Sequence, residues 1–162
     1  MGKHTLNIEY DFDFVLIGIS SHEKDYRLCW SINRLFELDL IKGAPLEIKS
    51  GRQKTPSFFS LFEYQNPEEF KEYFVISNLS ENKLAASKEH TLFHKGIKEA
   101  TAAENGILIS EHKQMDYFFV IRGEMEEGET AEIIKKIKEI DLVLTAVNID
   151  VSQLKSKKNL VF

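Results

Sequence analysis

The sequence predicts an α+β domain, a largely antiparallel or mixed sheet with two main helices in the approximate order β-β-α-β-β-β-β-β-α-β. Three observations predict it. Runs rich in aromatic and β-branched residues recur at residues 14–20, 57–64, 72–79 and 116–122, which is strand composition. Two other stretches place apolar residues at helical spacing, first Leu28, Ile32, Leu35 and Phe36, then Ile133, Ile134, Ile137 and Ile140. No repeat, low-complexity tract or Pro/Gly/Ser-rich linker divides the 162 residues, so residues 1–162 read as one domain.

Taken in order, residues 5–9 and 14–20 read as two short strands. Ser20 and Glu23 have capping-box spacing, in which the serine accepts a backbone N–H and the glutamate reaches back, and so announce the first helix. Its apolar stripe faces the core while Arg27, Ser31 and Arg34 face out, and it ends before Gly43 and Pro45. A hairpin-rich middle follows: strand 46–49, a polar loop 50–56, strand 57–64, a turn at Asn66 and Pro67, and strand 72–79. Residues 89–103 carry a weak helical pattern. Strands return at 106–111 and 116–122. The second helix, 129–140, pairs Glu132 with Lys136 on its outer side, and strand 142–149 closes the chain. The connection between the last two strands is long enough for a parallel crossover, hence the mixed alternative.

Composition narrows the class. Twenty-six acidic residues against 21 Lys and Arg leave a net charge of −5, which speaks against broad nucleic-acid binding because phosphate recognition needs a cationic face. Two basic patches remain, Lys49 with Arg52 and Lys54, and Lys155 with Lys157 and Lys158. The longest uncharged apolar run is only 14–19, too short for a membrane span. The first residues show neither the apolar core of a signal peptide nor an Arg/Ser-rich transit pattern, so a cytoplasmic protein is expected. A lone Cys29 excludes a disulfide scaffold, and it falls on the apolar side of the first helix.

Twelve Phe are the unusual feature. With alternation, Phe58, Phe62 and Tyr64 oppose Phe59 and Leu61. Likewise Tyr117, Phe119 and Ile121 oppose Phe118 and Val120, and Leu142, Leu144 and Ala146 oppose Val143, Val147 and Ile149. Both sheet faces are therefore apolar. Two helices, each about 10 Å across, cover about one face of strands spaced about 4.8 Å apart. The second face needs another cover: the 80–105 segment, a curled sheet, or a second copy of the chain. A homodimer is the expectation favoured here, since large aromatic patches mark interfaces.

Candidate chemistry is sparse. In a hairpin spanning 106–122, Glu111 would lie opposite Asp116 with β-carbons about 5 Å apart, an arrangement that can raise one carboxyl pKa for acid/base work. The structural alternative has Asp116 cap the turn while Glu111 stays solvated beside Lys113. His90 and His94 have the i, i+4 spacing of a zinc pair, yet no third ligand has motif spacing. Glycine-rich phosphate loops and nucleophile elbows are missing, so neither a metal nor another cofactor is expected.

The segment Ile109, Ser110, Glu111, His112, Lys113, Gln114, Met115, Asp116, Tyr117 resembles the signature of the IPExxxVDY family, small proteins of Bacteroidetes-type bacteria without an assigned activity. Ile109, Glu111, Asp116 and Tyr117 agree, while Ser110 replaces the family's Pro and Met115 its Val. Further similar stretches are Asp25-Tyr26-Arg27-Leu28 with Asn33, Leu61-Phe62-Glu63-Tyr64, Ile76-Ser77-Asn78, and the final nine residues. The resemblance supplies no catalytic residues. The expectation is a non-enzymatic dimeric binding or adaptor protein whose candidate binding residues are Arg27, Asn33, Asn78, Glu111, Asp116 and Tyr117. The alternatives are a small hydrolase or lyase using Glu111 and Asp116, and an RNA-associated accessory protein using the two basic patches.

Overall fold

A computed structural model describes residues 12–49, 55–81 and 106–162. Its elements are β1 (Phe14–Ser20), α1 (Asp25–Phe36), β2 (Ile41–Lys42), β3 (Leu46–Ile48), β4 (Ser57–Phe59), β5 (Leu61–Asn66), β6 (Lys71–Ser77), β7 (Tyr117–Arg122), α2 (Glu129–Lys138) and β8 (Thr145–Ile149). Three 3₁₀ turns, Ser110–His112, Val151–Gln153 and Ser156–Leu160, complete the description. The α+β expectation holds. The expected strand 5–9 and helix 89–103, along with His90, His94, Arg52 and Lys54, lie outside the described residues.

Six strands form one sheet in the order β2-β5-β6-β7-β1-β8, while β3 and β4 make a separate two-stranded ribbon. Every pairing is antiparallel, so the mixed alternative does not apply to adjacent strands. The long β7–α2–β8 connection does join two strands of the same direction, but β1 lies between them.

Alternation places Ile17, Ile19, Phe62, Tyr73, Val75, Tyr117, Phe119, Ile121 and Ala146 in one buried cluster with Leu28, Cys29 and Ile32 of α1 and Ile137 of α2. This is the helix-covered face. Leu16, Leu61, Phe74, Ile76, Phe118, Val120 and Ile149 form the other, packed with Leu46 and Phe59 of the ribbon, with Leu108, Ile109 and Met115, and with Val151, Leu154 and Leu160 of the C-terminal tail. Phe118 and Phe119, back to back on β7, are 0% and 1% exposed. Burying such side chains stabilises by about 1.5–3 kcal/mol each. The second face is thus covered within the chain. The ribbon and tail supply the cover for which the sequence offered the 80–105 segment, a curled sheet or a second copy, so bare sheet aromatics give no argument for a homodimer.

Four local expectations change. No capping box forms: α1 begins at Asp25, its N-cap Lys24 makes no side-chain cap bond, and Ser20 ends β1 with its hydroxyl donated to Asp116 Oδ2 at 3.1 Å. The run 57–64 is two strands in two sheets. At its break, buried Ser60 donates its Oγ to Asp25 Oδ2 at 2.5 Å, and its carbonyl accepts Ser77 N–H at 3.0 Å. Residues 106–111 pair through a single bridge, Leu79 with Ile107, and then turn into Ser110–His112, so no hairpin faces Glu111 with Asp116. β8 starts only at Thr145, leaving Leu144 62% exposed rather than on a sheet face.

Gly123 shows one place where glycine is required. It follows β7 at φ 122°, and a Cβ there would lie 2.8 Å from the Phe70 carbonyl oxygen in the β5–β6 turn.

Candidate functional site

Of the sequence-selected residues, five are bonded to other parts of the chain, Glu111 among them although it is exposed, and Arg27 stands on the open side of α1. Asn78 is 3% exposed. Its Nδ2 donates to the carbonyls of Met115 at 2.8 Å and His112 at 3.1 Å, and its Oδ1 accepts Ile109 N–H at 2.9 Å. A chain segment that would otherwise leave buried backbone groups unpaired is held by this single amide.

Glu111 points away from Asp116 and ties down the tail. Its Oε1 accepts the backbone N–H groups of Lys155 at 2.5 Å and Ser156 at 2.9 Å, and its Oε2 accepts Ser156 Oγ at 2.6 Å. Burial alone would raise this carboxyl's pKa, but the hydrogen bonds from Ser156 and Lys155 outweigh it and bring it down to about 2. Arg122 completes the attachment. It donates to the Phe162 and Leu160 carbonyls at 3.1 and 3.2 Å, and it stacks on the rings of Phe162 and Phe74 at 4.6 and 4.9 Å.

Asp116 holds the β1–α1 junction through Ser20 Oγ and the Ser21 N–H, the latter at 2.8 Å. Tyr117, 8% exposed, donates its hydroxyl to the Glu23 carbonyl at 2.5 Å. Its burial, and then the carboxylates of Asp25 and Asp116, push the phenol well above its ordinary range. Cys29 is pushed up in the same way, by burial and then Asp25, so the thiol is poorly suited to act as a nucleophile. Asn33 closes the loop after α1, with Nδ2 donating to the Leu40 carbonyl at 3.1 Å and Oδ1 accepting Leu40 N–H at 2.9 Å. Each of these polar side chains, Cys29 apart, is hydrogen-bonded to another part of the chain.

Arg27 is exposed. It pairs at 2.6 Å with Glu23, which precedes α1, and it lines a groove of about 550 Å³ with Tyr26, Trp30, Ser31, Ile140, Asp141 and Leu142. Tyr26 is 56% and Trp30 60% exposed. Arg34 stacks over the Trp30 ring at 4.8 Å, so Arg27, Trp30 and Arg34 form one cationic-aromatic ridge at i, i+3, i+7 spacing. Trp30 was not singled out from the sequence. The available signal was an aromatic lying off the stripe of Leu28, Ile32, Leu35 and Phe36, on the side of α1 expected to be polar.

Among the described residues, no three or more His, Cys, Asp or Glu are placed to hold a metal ion, and no helix is long and apolar enough to cross a membrane. The fold and the site define a small α+β domain built on an antiparallel sheet with an exposed aromatic groove. No family model, curated protein or solved structure matches the chain.

Proposed function

We propose that this chain is a non-enzymatic binding module that takes a partner protein at the Trp30 groove. One observation carries the reading. The chain's single tryptophan stands 60% exposed beside a groove walled by Tyr26, Ile140 and Leu142, while Glu111, Asp116 and Tyr117 of the signature-like segment are bonded to other parts of the chain. An exposed Trp flanked by Arg is the composition of binding hot spots. The groove suits a segment that inserts an aliphatic or aromatic side chain beside Trp30 and presents a carboxylate to Arg27 or Arg34. The exposed Arg27–Glu23 pair is weak enough to exchange for such a partner.

The hydrolase or lyase alternative has less support, since Glu111 and Asp116 are tied to different segments. The RNA alternative retains the tail lysines, of which Lys157 already lies 5.1 Å from the Phe12 ring centre. The test is affinity capture from native lysate with wild type, Trp30→Ala and Glu111→Gln as parallel baits. Trp30→Ala should unfold within about 0.5 kcal/mol of wild type, because it removes an exposed ring. A protein held by wild type and by Glu111→Gln but lost from Trp30→Ala supports the reading. Capture that is indifferent to Trp30 refutes it.

A further inference from the structure

We propose that a second cavity, between the C-terminal end of α1 and the first turns of α2, binds an organic cation: a protonated amine carried by a free polyamine or by a lysyl side chain. The cavity measures about 360 Å³ and does not share residues with the Trp30 groove. That volume falls at the lower end of small-ligand sites, which run to roughly 300–1,000 Å³.

Its floor is aromatic. Phe36, Phe119 and Tyr73 lie in a near-parallel row, with Phe36 and Phe119 centroids 6.3 Å apart at 27° and Tyr73 and Phe119 6.0 Å apart at 20°. The faces of Phe119 and Tyr73 lie against neighbouring rings, and these residues are 1% and 8% exposed, so the floor offers apolar surface for the hydrocarbon stem of an alkylamine while the walls meet its charge. The walls carry Glu37, Glu69, Glu129 and Glu132, against which Lys136 is the one basic residue in the lining. Lys71 bonds Glu129 at 2.6 Å from outside that lining, leaving three wall carboxylates without an ion pair among the described residues.

The negative field reaches the floor. Tyr73 hydroxyl lies 3.4 Å from Glu69 Oε2, and burial followed by the Glu69 carboxylate pushes the phenol up to about 12. These carboxylates surround the cavity without converging, since no three of them are placed to hold one metal ion. Dispersed negative charge around an apolar floor fits a cation whose charge sits at the end of an apolar stem.

The test is calorimetric titration of the full chain with putrescine, representing a free amine, and with Nα-acetyl-lysine methylamide, representing a lysyl side chain. Three variants accompany wild type: Glu69→Gln with Glu132→Gln, Lys136→Gln, and a control of equal charge change, Glu124→Gln with Glu139→Gln. Both Glu pairs are exposed, so the fold should tolerate them. Binding should weaken on the order of tenfold in the cavity pair, strengthen in Lys136→Gln and stay unchanged in the control pair. The tighter probe identifies the source of the amine. Failure of wild type to bind either probe overturns the proposal, as does equal loss in the two Glu pairs, which assigns binding to net charge. Neither result bears on capture through Trp30.

Discussion

Glu111→Gln takes the negative charge from the point where the C-terminal tail is fastened, while leaving an amide oxygen that can still accept a hydrogen bond. The native carboxyl titrates at about 2 instead of the usual 4.5. Converted in full, that difference would be about 3 kcal/mol of folding free energy at neutral pH. Glu111 is exposed, however, and solvent screening reduces the expected loss to about 1–2 kcal/mol. For a chain of this size the melting temperature should fall by about 2–8 °C.

The sign of the pH dependence follows from the depressed native value. The stabilisation is complete above the unfolded-state value of 4.5 and is lost as the pH falls toward 2. Thermal unfolding of wild type and Glu111→Gln should therefore differ by a constant amount from pH 7 to pH 6. At pH 3 the gap should shrink to less than half. A gap of the same size at both ends, or none at pH 7, would refute the assignment of Glu111 as an ionised clamp on Lys155 and Ser156.

Asn78→Ala strips three hydrogen bonds from a buried site and should lower stability by about 2–4 kcal/mol, read from the urea midpoint. A loss below about 1 kcal/mol would contradict its organising role. Gly123→Ala should cost about 1–3 kcal/mol, because its Cβ would meet the Phe70 carbonyl at 2.8 Å. Gly128→Ala, also at positive φ but with nothing within 4 Å, should lose less, and the reverse order in thermal unfolding would be inconsistent with the structure. Cys29 should resist a thiol reagent at pH 8 in the native protein and react fully in denaturant; rapid native labelling would mean that α1 does not bury it.

The elements with their own period were legible in the sequence. β1, α1, β7 and α2 appear where alternation or helical spacing puts them, and both faces of β7 are apolar as the pattern implies. What escaped was set by residues distant in the chain. Ser60 interrupts an unbroken aromatic run because it is held by Asp25, 35 positions earlier, and by Ser77. Residues 106–116 do not form a hairpin because Asn78, 31 positions before Ile109, satisfies the backbone that a partner strand would have paired. Ser20 could not cap a helix while bonded to Asp116, 96 positions away.

For the candidate site, Arg27 was legible and the groove was not. A groove depends on what packs across from the helix, here Ile140 and Leu142. Three residues of the segment that resembles a family signature, Glu111, Asp116 and Tyr117, are joints between segments, which accounts for their polar character.

The most direct test of the account is hydrogen exchange on the complex formed with a protein captured by wild type but not by Trp30→Ala. The groove reading predicts slowed exchange at residues 26–31 and 140–144, with residues 109–117 unchanged. Protection confined to residues 109–117, with residues 26–31 exchanging as in the free protein, would contradict it and return recognition to the Glu111–Tyr117 segment.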